Sequence, residues 1–262
     1  MKLYELIFPP KCARCGILLT DSSRDLPFCE LCLSKWEQEK LRARTENGGL
    51  PVREYTDGVP PSERYGMTMY CLYYHPKHRQ NVENSLILRI KDHGDRRCIG
   101  FAAKQLAELI FEGAPMTALN GSCHSETIVT WIPRRKSSVK KYGFDHMERV
   151  AKQTAKLLCM PALPLLRRSS FTKEQKHLGI RERFANAAAA MRVDTQFGVS
   201  GKTVILLDDI VTTGASLDAG AGMLIEAGAA QVIAAVLAST DRSLGEKYTI
   251  TNSFNIIKKP KD

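Results

Sequence analysis

Residues 203 to 216 constrain the fold most. Thr203-Val204-Ile205-Leu206-Leu207 is a continuous apolar run, Asp208-Asp209 follow at once, and Ile210-Val211-Thr212-Thr213-Gly214-Ala215-Ser216 leads into a small-residue stretch closed by Gly228. An unbroken run of this kind is a strand buried on both faces, which belongs to a parallel sheet covered by helices. Ala215 to Ala227 is predicted as the helix that follows it, ended by Gly228. In open α/β sheets, ligands bind at the carboxyl ends of such strands. Thr212, Thr213 and Ser216 offer hydroxyls there, and Gly214 and Ala215 let backbone come close. Their amides, with the positive end of the next helix, suit a phosphate. Asp208 and Asp209 would repel that phosphate but suit hydroxyl groups, as acceptors from a sugar diol. A phosphate cradle one loop away from two diol acceptors describes a ribose 5-phosphate. An ordinary capped helix start accounts for one Ser or Thr, not for the whole series.

Further apolar segments alternate between the two periods. Met67 to Tyr74, Thr127 to Ile132, Ala162 to Leu166 and Gln231 to Leu237 are predicted strands. Helices are predicted over 79–92, over the stripe from Ile99 to Ile110, and over the stripe from Phe144 to Leu158. Strands alternating with helices predict an α/β fold, a parallel sheet flanked by helices.

Four of the eight cysteines form a second pattern. Cys12-Ala13-Arg14-Cys15 and Cys29-Glu30-Leu31-Cys32 are two CxxC pairs with thirteen residues between them. Each pair can turn two thiolates onto one ion, and two such knuckles complete a closed tetrahedral site that holds structural zinc. A disulfide pairing or a redox CxxC is the competing reading, disfavoured by a reducing compartment and by the doubling of the motif. Cys71, Cys98, Cys123 and Cys159 are scattered and read as packed or surface thiols. The expected organisation is a zinc-binding module over 1–41, a linker over 42–64 rich in Gly and Pro, a sheet domain over 65–240 and a C-terminal extension over 241–262.

Charge is concentrated. The chain carries a formal +10, and residues 134 to 183 hold fourteen Lys or Arg against four acids, so this one segment accounts for the whole excess. Clustered positive charge points to a polyanion, either a phosphorylated small molecule or nucleic acid. A solvated basic face is the plain alternative. With 25% charged and 44% hydrophobic residues the composition is that of a globular protein. No run approaches the roughly 18 apolar residues of a membrane-spanning helix. The first ten residues lack the pattern of a secretion signal. The expected location is therefore cytoplasmic. Six histidines are present, of which His75 and His78 form an HxxH. Most read as surface or packing residues, and His146 and His177 fall in site-forming loops. Lys91, near Gly94, reads as a cation favoured by a helix C-terminus.

The segment from Asp208 to Ser216 resembles the phosphoribosyl diphosphate-binding signature of type I phosphoribosyltransferases. The order of the other elements narrows the resemblance: the four-cysteine module, Ile132-Pro133-Arg134, Gly143-Phe144-Asp145-His146, Thr172-Lys173-Glu174-Gln175-Lys176-His177-Leu178 and Arg181-Glu182-Arg183-Phe184-Ala185-Asn186. This order looks like the ComF family, phosphoribosyltransferase-like proteins named for bacterial competence. Relatives there commonly carry Arg-Gly-Phe-Asn-Gln where this chain reads Tyr142-Gly143-Phe144-Asp145-His146, with Lys141 adjacent. The resemblance implies phosphoribosyl diphosphate as ligand, bound with magnesium. Asp208 and Asp209 would meet the ribose hydroxyls, and Thr212 to Ser216 the 5-phosphate. Arg134, Arg135 and Lys136 would neutralise the diphosphate. Segment 168–187 would form a hood, with Thr172, Gln175, Leu178, Arg183 and Asn186 matching the family pattern. The resemblance also implies transfer of a pentosyl group, single-stranded DNA as a further candidate partner, and protein partners in the competence machinery.

Overall fold

A computed structural model gives the structure of the chain, and it describes residues 9–20, 22–54, 67–76, 78, 80–114, 126–168, 189–240 and 257–258. In chain order the elements are α1 (Glu30–Asn47), β1 (Val52–Glu54), β2 (Met67–Tyr74), α2 (Val82–Leu88), α3 (Arg96–Gly113), β3 (Thr127–Trp131), α4 (Lys136–Tyr142), α5 (His146–Leu157), β4 (Leu166–Arg168), β5 (Met191–Val193), β6 (Thr203–Val211), α6 (Ala215–Glu226), β7 (Gln231–Thr240) and β8 (Ile257–Lys258). A π-helical turn, Arg89–His93, continues α2.

The main sheet runs β1-β2-β7-β6-β3, with β8 beside β7. The pairs β2–β7, β7–β6 and β6–β3 are parallel. The edge pairs β1–β2 and β7–β8 are antiparallel, so the sheet is mixed around a parallel centre. Strand alternation sends Val129, Trp131, Ile205, Leu207, Ala235 and Leu237 to one face, which is covered by α1, α2, α3 and α5. Ile128, Val204, Leu206, Val232, Ala234 and Val236 point to the other, which is covered by α6. Both faces of the central strands are buried, which is why those strands read as continuous apolar runs. The α/β class expected from the sequence is the one adopted, with a four-cysteine cluster near the N-terminus.

Three local differences matter. β6 runs through Asp208 and Asp209 to Val211, four residues beyond the expected apolar run, because its pairing with β7 continues to Val211↔Ser239. Ala162 makes only an isolated bridge to Val129, and the strand begins at Leu166. Residues 42–47, expected as irregular connection, are the last turns of α1, and 52–54 form an edge strand. Helix α1 is capped by Gly48, whose φ of 66° lets Gly48 N donate to Thr45 O and Gly49 N donate to Arg44 O.

The knuckles are built into the main core. Cys12, Phe28, Cys32 and Trp36 belong to the same buried cluster as Ile99, Phe101 and Leu106 of α3. Phe101 meets Phe28 and Trp36 edge-on, with ring centroids 5.6 and 5.2 Å apart.

Candidate functional site

A cleft of about 270 Å³ opens at the carboxyl ends of β3 and β6, lined by Lys91, Ile132, Pro133, Arg134, Arg135, Ser138, His146, Arg168, Asp208, Asp209 and Ser216. It lies where an open α/β sheet receives ligands. Adjacent residues of a strand point to opposite sides. Asp209 follows Leu207 toward α5 and the π turn, whereas Asp208 follows Leu206 toward α6.

The two carboxylates have different surroundings. Asp209 is buried, and its Oδ2 accepts from His146 Nε2 and pairs with Lys91 Nζ at 3.0 Å. Burial opposes its ionisation, but the Lys91 ammonium and His146 outweigh burial and hold Asp209 below the usual carboxylate range. Asp208 is half-buried, and its Oδ1 accepts the backbone N–H of Asp209 at 2.9 Å. Burial, with the neighbouring Asp209 charge, pushes its carboxyl up to about 8. Burial works against the charge of Lys91, yet Asp209 raises its pKa above the ordinary lysine value.

Beyond β6 the chain turns sharply. Gly214 has a φ of 82°, a left-handed conformation that favours glycine, and α6 begins at the next residue. Thr213 Oγ1 accepts weakly from Ala215 N at 3.5 Å. Arg53 of β1 fastens the entrance of this turn by donating to the carbonyl oxygens of Thr212 and, at 3.1 Å, Thr240.

The other wall is the loop after β3. Arg134 N donates to Asp145 Oδ2 at 2.8 Å, and its Nη1 donates to Lys91 O at 2.8 Å. Its guanidinium lies 4.4 Å from the Tyr142 ring centroid. Asp145 also caps α5, accepting from Met147 N at 2.9 Å. Arg168 Nε donates to Pro133 O at 2.9 Å.

Of the residues singled out in the sequence, Asp208, Asp209, Ser216, Arg134 and Arg135 meet at this cleft. Thr212, Thr213, Gly214 and Ala215 form the adjoining turn, and Lys136 starts α4; none of these lines the cleft. The expected hood, apart from Arg168, lies outside the described residues, as do Cys123 and His177. Lys91, read from the sequence as a helix-end cation, does lie in the last turn before Gly94 and also lines the cleft, and His146 anchors Asp209. The signal for Lys91 was weak because a π turn shifts side-chain directions away from the 3.6-residue pattern.

The Sγ atoms of Cys12, Cys15, Cys29 and Cys32 lie within 4.8 Å of one another, with Cys15 and Cys29 sulfurs 3.7 Å apart. Metal–sulfur bonds of about 2.3 Å in a tetrahedron place sulfurs roughly 3.8 Å apart, so this donor set fits a single ion. Burial resists ionisation of Cys12, but backbone amides of Cys15, Cys29 and Arg14 outweigh it and lower its pKa to about 6. Arg14 donates to Cys32 Sγ at 3.7 Å. Cys29 is the N-cap of α1, so the second knuckle sits at the start of that helix. Cys71 and Cys98 are buried elsewhere, and Cys159 is exposed.

Comparison with known proteins gives the same direction for the C-terminal part of the chain. Residues 148–261 match the family model of the phosphoribosyl transferase domain. No curated protein matches significantly in sequence. Among solved structures, the chain is similar to phosphoribosylpyrophosphate synthetase from Mycobacterium smegmatis, at 22% identity over 52% of this chain and 33% of that one, with a TM-score of 0.33. It is similar to a glutamine phosphoribosylpyrophosphate amidotransferase from B. subtilis at 17% identity, over 60% of this chain and 27% of that one, with a TM-score of 0.32. For hypoxanthine phosphoribosyltransferase from Trypanosoma cruzi the identity is 14%, over 62% and 86% of the two chains, with a TM-score of 0.34. The chain thus spans about a third of the length of the first of these proteins.

Proposed function

We propose that the cleft binds phosphoribosyl diphosphate and that the chain is a phosphoribosyltransferase-like protein of the ComF type. The observation that carries this reading is Asp208 at the end of β6, half-buried in a cleft that also takes in Ser216 of the turn into α6 and the cations Arg135 and Arg168. In this reading a ribose hydroxyl donates to the Asp208 carboxylate, the turn from Thr212 to Ser216 cradles the 5-phosphate, and the cationic wall takes the diphosphate. Arg134 serves that wall by its backbone and by holding the loop. Pentosyl transfer needs no protein nucleophile, so this chain's residues contribute positioning and fixed charge. Asp208 supplies a hard oxygen donor that fits magnesium arriving with the ligand. Magnesium would neutralise the diphosphate as the leaving group. Zinc in the four-cysteine site, a cytoplasmic location and partners in the competence machinery complete the proposal.

Titration calorimetry with phosphoribosyl diphosphate, with and without magnesium, tests it. Above about pH 8, where the Asp208 carboxyl is ionised, magnesium-dependent binding that falls at least about tenfold in Asp208→Asn is expected, since a hydrogen bond to a charged group contributes roughly 1.5–3 kcal/mol. Equal affinity with Asp208→Asn, or no binding by the intact chain, rejects the assignment.

A second reading, single-stranded DNA as partner, draws on α4. This helix buries none of its residues and carries Lys136, Lys140 and Lys141 beside Arg135. Lys141 lies 4.8 Å from the Tyr142 ring centroid, a cation beside an aromatic surface on which a base could stack. The two readings share the cationic loop, so ligand and strand are expected to compete.

A further inference from the structure

The acidic pair at the end of β6 is divided between two tasks. Asp209 points into the protein, with its side chain 10% exposed, and one oxygen, Oδ2, serves both Lys91 and His146. Lys91 is held from two directions: its carbonyl accepts from Arg134 Nη1 at 2.8 Å, and its ammonium rests on Asp209 at 3.0 Å. The lysine side chain remains 30% exposed and faces the cleft. Two other cations of the wall have protein duties of their own. The Arg134 guanidinium bonds carbonyl oxygens and lies over Tyr142, and Arg168 Nε bonds Pro133 O. Lys91 differs, because its partner is a carboxylate that a histidine also serves. An anion entering the cleft can take the ammonium over while Asp209 keeps the His146 hydrogen bond.

We propose that Lys91 is a ligand-binding residue that meets the diphosphate of the incoming ligand, and that Asp209 and His146 are positioning residues which hold its ammonium at the cleft wall. This rests on the phosphoribosyl diphosphate reading and changes one part of it. Asp208 alone of the pair faces the sugar, and Asp209 acts through Lys91. The geometry favours this division: one residue of a strand cannot share the direction of the next. A compact ammonium with three donors on a flexible stem suits transfer between a carboxylate and a phosphate oxygen.

The test uses the full chain and two probes, phosphoribosyl diphosphate and inorganic diphosphate, each with magnesium in a calorimeter. Lys91→Met is expected to weaken both by at least about tenfold, and Lys91→Arg to retain most of the affinity. Asp209→Asn placed in the Lys91→Met background should change affinity by less than about twofold, because a residue that acts only through Lys91 has nothing left to act on. Melting curves establish that each variant is folded at the titration temperature; where the double variant does not fold, the Lys91→Met and Lys91→Arg pair decides. Unchanged diphosphate binding by Lys91→Met overturns the proposal. So does a further tenfold loss from Asp209→Asn in its absence, which would make Asp209 a direct contact. Lys91-dependent binding of inorganic diphosphate without binding of phosphoribosyl diphosphate rejects the phosphoribosyl reading and leaves the lysine's role standing. Binding of neither probe by the intact chain overturns both.

Discussion

Trp36 of α1 donates its indole N–H to Gln105 Oε1 of α3 at 2.9 Å, joining the helix of the second cysteine knuckle to the layer that covers the sheet. Both residues are buried, and Lys40 Nζ reaches the same oxygen at 2.7 Å. The four-cysteine site therefore shares one core with the sheet. Metal binding in such a site contributes directly to folding. Elemental analysis of protein prepared without a metal-affinity tag should find about one zinc per chain. Cys29→Ser should lose the metal and lower the melting temperature of the whole chain in one transition. A separate, unshifted sheet transition in that variant would show the two parts to be independent.

Trp36→Phe keeps the ring against Phe101 but removes the donor. Lys40 still satisfies Gln105, so the lost hydrogen bond costs about 1 kcal/mol, and the void left by the smaller ring at this fully buried position adds roughly another 1 kcal/mol. Denaturant unfolding monitored by circular dichroism measures it. A cost several times larger would mean that the indole's shape, not its N–H, joins the two helices.

Asp208 and Asp209 should respond oppositely to the same substitution. Asp209→Asn removes the anion facing Lys91 and should cost about 3 kcal/mol, the lower end for a broken buried pair because the lysine is partly exposed. Asp208→Asn removes a carboxyl that folding already disfavours as an anion, and at pH 8 it should be neutral or stabilising. Equal destabilisation by the two variants would contradict the division of the pair.

The pH dependence follows from the same group. The folded-state pKa of Asp208, near 8, stands above its ordinary value, so between about pH 4 and 8 the folded chain binds the extra proton. Stability therefore falls as pH rises through that window. The melting temperature of Asp208→Asn relative to the intact chain should be near parity at pH 4.5 and should rise toward pH 8.5. Parallel curves across the range would place Asp208 in a more watery environment than its surroundings indicate.

The parts of this arrangement that were legible in the sequence are those written in local patterns. The strands β2, β3, β6 and β7 announce themselves as apolar runs because helices cover both faces of the sheet. The cysteine knuckles are legible because a closed tetrahedral site needs four thiolates at short spacing. Tertiary partners were not legible. Nothing near Lys91 in sequence indicates a carboxylate more than a hundred residues away, and a π turn follows no recognisable residue code. His146 stood out only as part of Gly143-Phe144-Asp145-His146; that its ring reaches Asp209 depends on Asp145 capping α5 and tying the loop to Arg134 N. Residues 42–47 read as connection rather than helix because Arg42, Arg44 and Glu46 add no apolar stripe, and α1 is held by Trp36, Ala43 and ion pairs such as Arg44–Glu112.

The basic segment separates the small-ligand reading from the strand-binding one. A diphosphate cleft uses the cations at its own wall, so affinity should depend on magnesium and little on salt. A track for single-stranded DNA would extend along α4 and α5, where Lys152 and Lys156 are exposed and Lys152 pairs with Glu148 at 2.6 Å. Each phosphate engaged on a single strand adds about −0.7 to the slope of log affinity against log salt. A slope of about −3 or steeper therefore means roughly four or more phosphates bound, a length of strand that extends past a single cleft. Fluorescence anisotropy with a labelled oligonucleotide across a salt series measures the slope. Lys152→Glu with Lys156→Glu should flatten it by about 1.4 and leave phosphoribosyl diphosphate binding unchanged, because neither lysine lines the cleft. An unaltered slope in that variant removes α5 from the track. Absence of binding even at low salt would assign the basic segment to the cleft alone.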